Sequence, residues 1–190
     1  IEKLMLRKLV RKKVMIVKLI KHLKTITKHK YYVMKLCFRF GLYKQGLLHD
    51  LSKYSWCELS TGAKYYLGCK SPNSNEREQK GYSSAWLHHK GRNKHHWEYW
   101  IDFTRDGIIA IEMPIKYVVE MFCDRVAATT VYRGSDFDFT APLDYYNKTH
   151  HYYVINEKTD QIIKDMLEHL ANSNLDETIK YIKNNYLNKK

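Results

Sequence analysis

Leu47-Leu48-His49-Asp50-Leu51-Ser52-Lys53-Tyr54-Ser55-Trp56-Cys57-Glu58 places a histidine directly before an aspartate, with a lysine one helical turn further on. His29 lies about one helix upstream of this pair, in Lys28-His29-Lys30. Downstream, Trp86-Leu87-His88-His89-Lys90-Gly91-Arg92-Asn93-Lys94-His95-His96-Trp97 carries two histidine doublets seven residues apart. Asp124 falls inside an otherwise largely apolar helical pattern, Tyr117 to Ala128. A carboxylate there needs a partner, because an unpaired buried charge is costly. Imidazole and carboxylate side chains projecting from packed helices are the ligand types of zinc, iron, manganese and related divalent ions. A water bound to such an ion becomes a nucleophile at neutral pH.

The surrounding chain predicts a mostly α, single-domain helical bundle. Only three prolines and eight glycines punctuate 190 residues, too few for an all-β fold. Helices are expected over residues 2–24 and 25–40, the second closed by Gly41, and over 52–67, stopped by Gly68. Residues 70–81 have no large apolar side chain and read as a mobile surface loop. Helices resume at 83–90 and 94–101. A small β-hairpin is expected near 99–113 around Arg105-Asp106-Gly107, and Pro114 suits the first turn of a helix running to Val131. Three more helical patterns follow, near 142–153, 159–172 and 175–187.

The net charge of +13 is uneven: residues 1–30 hold eleven Lys or Arg against Glu2 alone, a net of +10. Residues 1–24 are therefore set apart as a basic amphipathic helix, with Leu6, Leu9, Val10, Val17 and Ile20 at helical spacing, and 25–190 as the domain proper. No stretch reaches the roughly 18 apolar residues that span a bilayer. Such a helix can pack on the domain with a solvated basic face, or bind an anionic surface, nucleic acid or membrane. Cys37, Cys57, Cys69 and Cys123 show no C-x-x-C spacing, which argues against a zinc ribbon and fits a reducing compartment, the cytoplasm.

The order His29, His49-Asp50, His88/His89, His95/His96, Asp124 resembles the HD-domain superfamily, whose signature is H…HD…D with extra histidines in members that hold two metals. More narrowly, LLHDLSKYSWCE and WLHHKGRNKHHWEYW are similar to a family of small bacterial and phage proteins of unknown function. The resemblance covers roughly residues 25–130 and implies that His29, His49, Asp50, Asp124 and histidines of the doublets ligate one or two divalent ions, with Fe, Mn, Zn, Co and Mg all open. Duller readings stand beside it. His29 can be solvated, with His22 as the rival ligand. Asp50 can cap a helix after a core histidine, and Asp124 can pair with Arg125. Neighbouring histidines point about 100° apart on a helix, so one of each doublet is expected to bind. Gly91 leaves open whether His88 shares a face with His95, and His89 with His96. His150 and His151 read as structural.

The resemblance implies an enzyme that hydrolyses a phosphate ester, with a nucleotide or other small phosphorylated molecule as substrate. Lys53 would hold the phosphate, and Glu58 would orient the water or the ligands around it. Arg92, Asn93 and Arg125 are the further candidates for substrate contact. Two alternatives remain: an HD-type di-iron oxygenase, whose H-D-x-x-K run the HDLSK segment resembles, and a non-enzymatic anionic-surface binder with a structural metal.

Overall fold

The computed structural model describes residues 2–105 and 107–188. Nine α-helices and one two-stranded antiparallel hairpin make up most of its regular structure among these residues, so the fold is mostly α. The helices are α1 (Glu2–Arg39), α2 (Tyr43–Leu48), α3 (Trp56–Tyr65), α4 (Pro72–Lys80), α5 (Ser84–Lys90), α6 (Ile115–Arg133), α7 (Ala141–Thr149), α8 (Glu157–Asn172) and α9 (Leu175–Ile182). Strands β1 (Ile101–Thr104) and β2 (Gly107–Ala110) pair Ile101 with Ala110 and Thr104 with Gly107. This is the expected hairpin; its Asp106 lies outside the described residues.

Three expectations about elements are corrected. Residues 2–24 and 25–40 form one helix rather than two. No Gly or Pro interrupts α1, and Thr25 Oγ1 back-bonds to Lys21 O at 3.0 Å, so the β-branched Thr25-Ile26-Thr27 is absorbed. Gly41, at φ 79°, supplies the left-handed residue beyond its end. Residues 70–81 are not a loop, because α4 occupies most of them. Pro72 starts it and Gly81, at φ 81°, ends it. Residues 94–101 are not an α-helix either: a turn leads into a short 3-10 segment, Trp97–Trp100.

Contacts divide the chain into two compact units, one from the chain start to Lys28 with Asp50–His89, the other His29–His49 with the chain from Lys90 onward. In the first, α4 is held by polar bonds in place of an apolar face. Glu76, fully buried, accepts from Ser83 Oγ at 2.7 Å, Ser84 Oγ at 2.8 Å and Lys80 Nζ at 2.9 Å. By holding Ser83 and Ser84, it fixes the start of α5, the helix that carries His88 and His89. His22 of α1 is buried against the Tyr66 ring, 5.8 Å between centroids.

In the second unit, α6 is buried along most of its sides, through Val118, Val119, Met121, Phe122, Cys123, Val126 and Ala127. In the same core lie Val33 and Cys37 of α1, Phe40 just beyond its end, Tyr146 of α7, and Ile179 and Ile182 of α9. Helix α8 brings Ile163, Met166, Leu167 and Leu170, one face at i, i+3, i+4, i+7. Asn156 caps α8 by accepting from the backbone N–H groups of Lys158 and Thr159.

Candidate metal centre

Helix α2 reaches its position because Gly46 has no side chain: a Cβ there would lie 3.1 Å from both Cys37 Cβ and the Phe38 ring. Three residues later, His49 caps α2. Lys30 fixes this end by donating to Leu47 O and His49 O, both at 2.7 Å. Lys30 neighbours His29 on α1, so one stretch of that helix both presents a histidine and anchors the segment bearing the next.

Within the second unit, His29, His49, His95 and Glu120 are buried and form one cluster with the half-buried Asp124. His29 Nε2 lies 2.9 Å from Asp124 Oδ1, and His49 Nε2 lies 3.7 Å from the same oxygen. The opposite nitrogen of His49, Nδ1, meets Glu120 Oε1 at 2.9 Å, and His95 Nδ1 meets it at 3.1 Å. The His49 ring centroid stands 5.6 Å from that of His29 and 4.3 Å from that of His95. Helix α6 supplies both acids at i and i+4, so they share one face. Glu120 was not singled out in the sequence; its four-residue spacing from Asp124 is the signal that pointed to it.

Electrostatics hold these acids ionised. Burial opposes the charge of Asp124, yet the His29 and His49 imidazoles beside it hold its carboxyl well below the usual range. Burial likewise opposes charge on Glu120, and the His49 and His95 hydrogen bonds again win, lowering its pKa.

The first unit repeats the pattern around Asp50. His89 Nε2 lies 3.1 Å from Asp50 Oδ1, and His89 Nδ1 bonds Glu58 Oε2 at 2.8 Å. His88 Nδ1 meets Glu58 Oε1 at 2.6 Å, and Ser52 Oγ lies 3.0 Å from His89 Nδ1. Burial pushes the Glu58 carboxyl up, but these histidine bonds bring it below the ordinary value. Lys53 Nζ contacts Asp50 Oδ2 at 2.5 Å. Asp50 follows His49 in the chain and, at φ 54°, is the one non-glycine residue with positive φ among the described residues. Asp tolerates this left-handed conformation better than most residues, and backbone held there is characteristic of functional sites.

Both units therefore hold a carboxylate–imidazole–carboxylate chain: Glu120–His49–Asp124 in one, Glu58–His89–Asp50 in the other. In each, the inner acid meets Nδ1 and the ring presents Nε2 to an aspartate. This is the arrangement in which an outer carboxylate orients a metal-binding imidazole. The donor atoms of His29, His49 and Asp124 lie within 4.8 Å of one another, so the residues present fit a divalent ion. Two imidazoles and a carboxylate suit Zn, Fe, Mn or Co better than Mg, which favours oxygen ligands.

Of the remaining candidates, His89 and His95 are the buried members of their doublets, at 1% and 2% exposure, and the His96 ring is tilted against that of His95 with 4.1 Å between centroids. Arg92 is exposed and Asn93 is buried. Arg125 does not pair with Asp124 but lies over the Tyr146 and Tyr153 rings and donates to Tyr153 Oη at 3.3 Å. His22 lies in the first unit, against Tyr66. His150 bonds Asp160 at 2.7 Å. All four cysteines are free thiols.

Fold and cluster together define a mostly helical protein whose buried histidines are set between paired carboxylates. The chain belongs to the family of unknown function DUF5662, whose model matches residues 18–169 and so spans every residue of both clusters. Comparison with curated proteins and with solved structures finds no match.

Proposed function

We propose that this protein is a metal-dependent phosphohydrolase of the HD type, acting on a nucleotide or another small phosphorylated molecule. The observation that carries the reading is the convergence of His29 Nε2, His49 Nε2 and Asp124 Oδ1, with Glu120 fixing the far side of His49. A divalent ion held by these atoms supplies an acidified water and offsets negative charge on a phosphoryl group. Everything else is the work of the chain's own side chains. Glu120 and Glu58 accept from Nδ1 of His49 and His89, which leaves the Nε2 lone pairs facing the aspartates. Asp50 and His89 form the second candidate ligand set. Lys53 keeps an ammonium beside Asp50, 26% exposed, where an anionic substrate oxygen can share it. Arg125 is engaged by tyrosine rings and has no part in the proposal.

The test begins with the metal content of the purified protein by mass spectrometry. Hydrolysis of nucleoside monophosphates, cyclic nucleotides and an aryl phosphate is then assayed with manganese, cobalt, zinc or iron supplied. Turnover that Lys53→Ala reduces roughly a hundredfold, with the fold intact by circular dichroism, supports the reading. The HDLSK run keeps one alternative in view. If no phosphate ester turns over while the iron-loaded protein consumes oxygen with an organic substrate, the di-iron oxygenase reading replaces it. Absence of any bound metal sinks both.

A further inference from the structure

From Met5 through Val17, the described side chains of α1 are all exposed. Two faces run along this stretch. Met5, Leu6, Leu9, Val10, Ile16, Val17 and Ile20 recur at helical spacing and are each between 47% and 63% exposed. Around them residues 2–24 carry nine Lys or Arg against Glu2 alone. Lys13 falls within the apolar stripe, and its long side chain can carry the ammonium out to the rim. An apolar stripe of this length in water is a site that a partner covers.

We infer that residues 2–24 dock this protein on the surface of an anionic lipid bilayer. The stripe enters the boundary between headgroups and acyl chains, and the flanking cations meet lipid phosphates and carboxylates. The other partners fit less well. Nucleic acid would satisfy the lysines but leave Leu6, Leu9 and Ile16 in water. A second copy would cover the stripe but press two strongly basic helices together. No helix among the described residues is long and apolar enough to cross a membrane, so the helix lies in the interface. Lys18 and Lys21 lie on the flank of the stripe, with Val14, Val17 and Leu67 in a shallow, open surface depression beside them.

The experiment is co-sedimentation of the full chain with vesicles of phosphatidylcholine alone, or with about 30% phosphatidylserine added. Binding is expected only to the anionic vesicles, weakening as salt rises. Leu9→Gln with Ile16→Gln is expected to lower the partition at least about tenfold, through lost apolar burial. Arg11→Gln with Lys12→Gln is expected to lower it roughly thirtyfold. All four positions are exposed, so the variants keep the fold, which circular dichroism checks. Three results overturn the inference. One is failure to sediment with anionic vesicles. Another is binding to RNA that competes off the vesicles and ignores the apolar changes. The last is a dimer in ultracentrifugation that the Leu9/Ile16 variant dissolves while vesicles are not bound.

Discussion

Replacing Glu120 with glutamine probes the cluster at a carboxylate whose single oxygen meets two histidines. Its Oε1 stands 2.9 Å from His49 Nδ1 and 3.1 Å from His95 Nδ1. An ionised carboxylate only accepts, so both rings carry their proton on Nδ1 and present a lone pair at Nε2. Glutamine offers one accepting oxygen and one donating nitrogen. Its oxygen can still accept from both rings, but without the negative charge their Nδ1 protons are held less firmly, and a proton that moves to Nε2 blocks the lone pair a metal needs. Loss of such an outer partner typically costs about ten- to a hundredfold in metal affinity, or roughly 1.4 to 2.7 kcal/mol. Replacing two buried charge-assisted hydrogen bonds by neutral ones adds a fold cost of about 1–3 kcal/mol. Calorimetric titration of metal-stripped protein with zinc or manganese measures the first quantity. Denaturant unfolding in a chelator measures the second, and nitrogen NMR of the imidazoles reports which nitrogen is protonated. Affinity unchanged to within about twofold, with both tautomers unaltered, would refute the role given to Glu120.

Three further outcomes follow from the geometry. A Cβ on Gly62 would sit 2.1 Å from His22 Nε2; Gly62→Ala should therefore destabilise by about 1–2 kcal/mol, overpacking outweighing the helix-propensity gain. Combining it with His22→Ala should remove most of that clash in denaturant unfolding, and a single variant more stable than wild type would contradict the packing. Glu76 is held at about 2 because its bonds to Lys80, Ser83 and Ser84 overcome the burial that opposes its charge. Its contribution is thus complete above its ordinary value near 4.5 and is lost as pH falls from there toward 2. With Lys80 37% exposed, screening trims this to about 2 kcal/mol, so wild type and Glu76→Gln should converge in stability as unfolding is followed down that window. At Asp50, both Gly and Ala delete the carboxylate, but only Gly accepts φ 54° without strain. Asp50→Gly should be the more stable of the two by about 1 kcal/mol, and equal stabilities would mean the left-handed backbone relaxes freely.

Residue chemistry alone determined that this chain is helical and that its histidines and acids are ligand types. The scarcity of Gly and Pro is local information, as is the 3.6-residue recurrence of apolar side chains in α8, and neither depends on what packs against them. His49-Asp50 and the doublets stand out for the same reason, as residue types at short spacing. What the sequence left open is what depends on distant neighbours. The doublets have one periodicity whichever histidine faces inward; the choice of His89 and His95 follows from where α5 ends and the turn begins. Glu120 looks like one more acid on a helix until α6 is enclosed on most sides and His49 and His95 close over it. Residues 72–80 lack an apolar face, the usual sign of a buried helix, because Glu76 binds Lys80, Ser83 and Ser84 instead. Side-chain hydrogen bonds, near or far in the chain, leave no apolar periodicity, so only the tertiary structure could decide these positions.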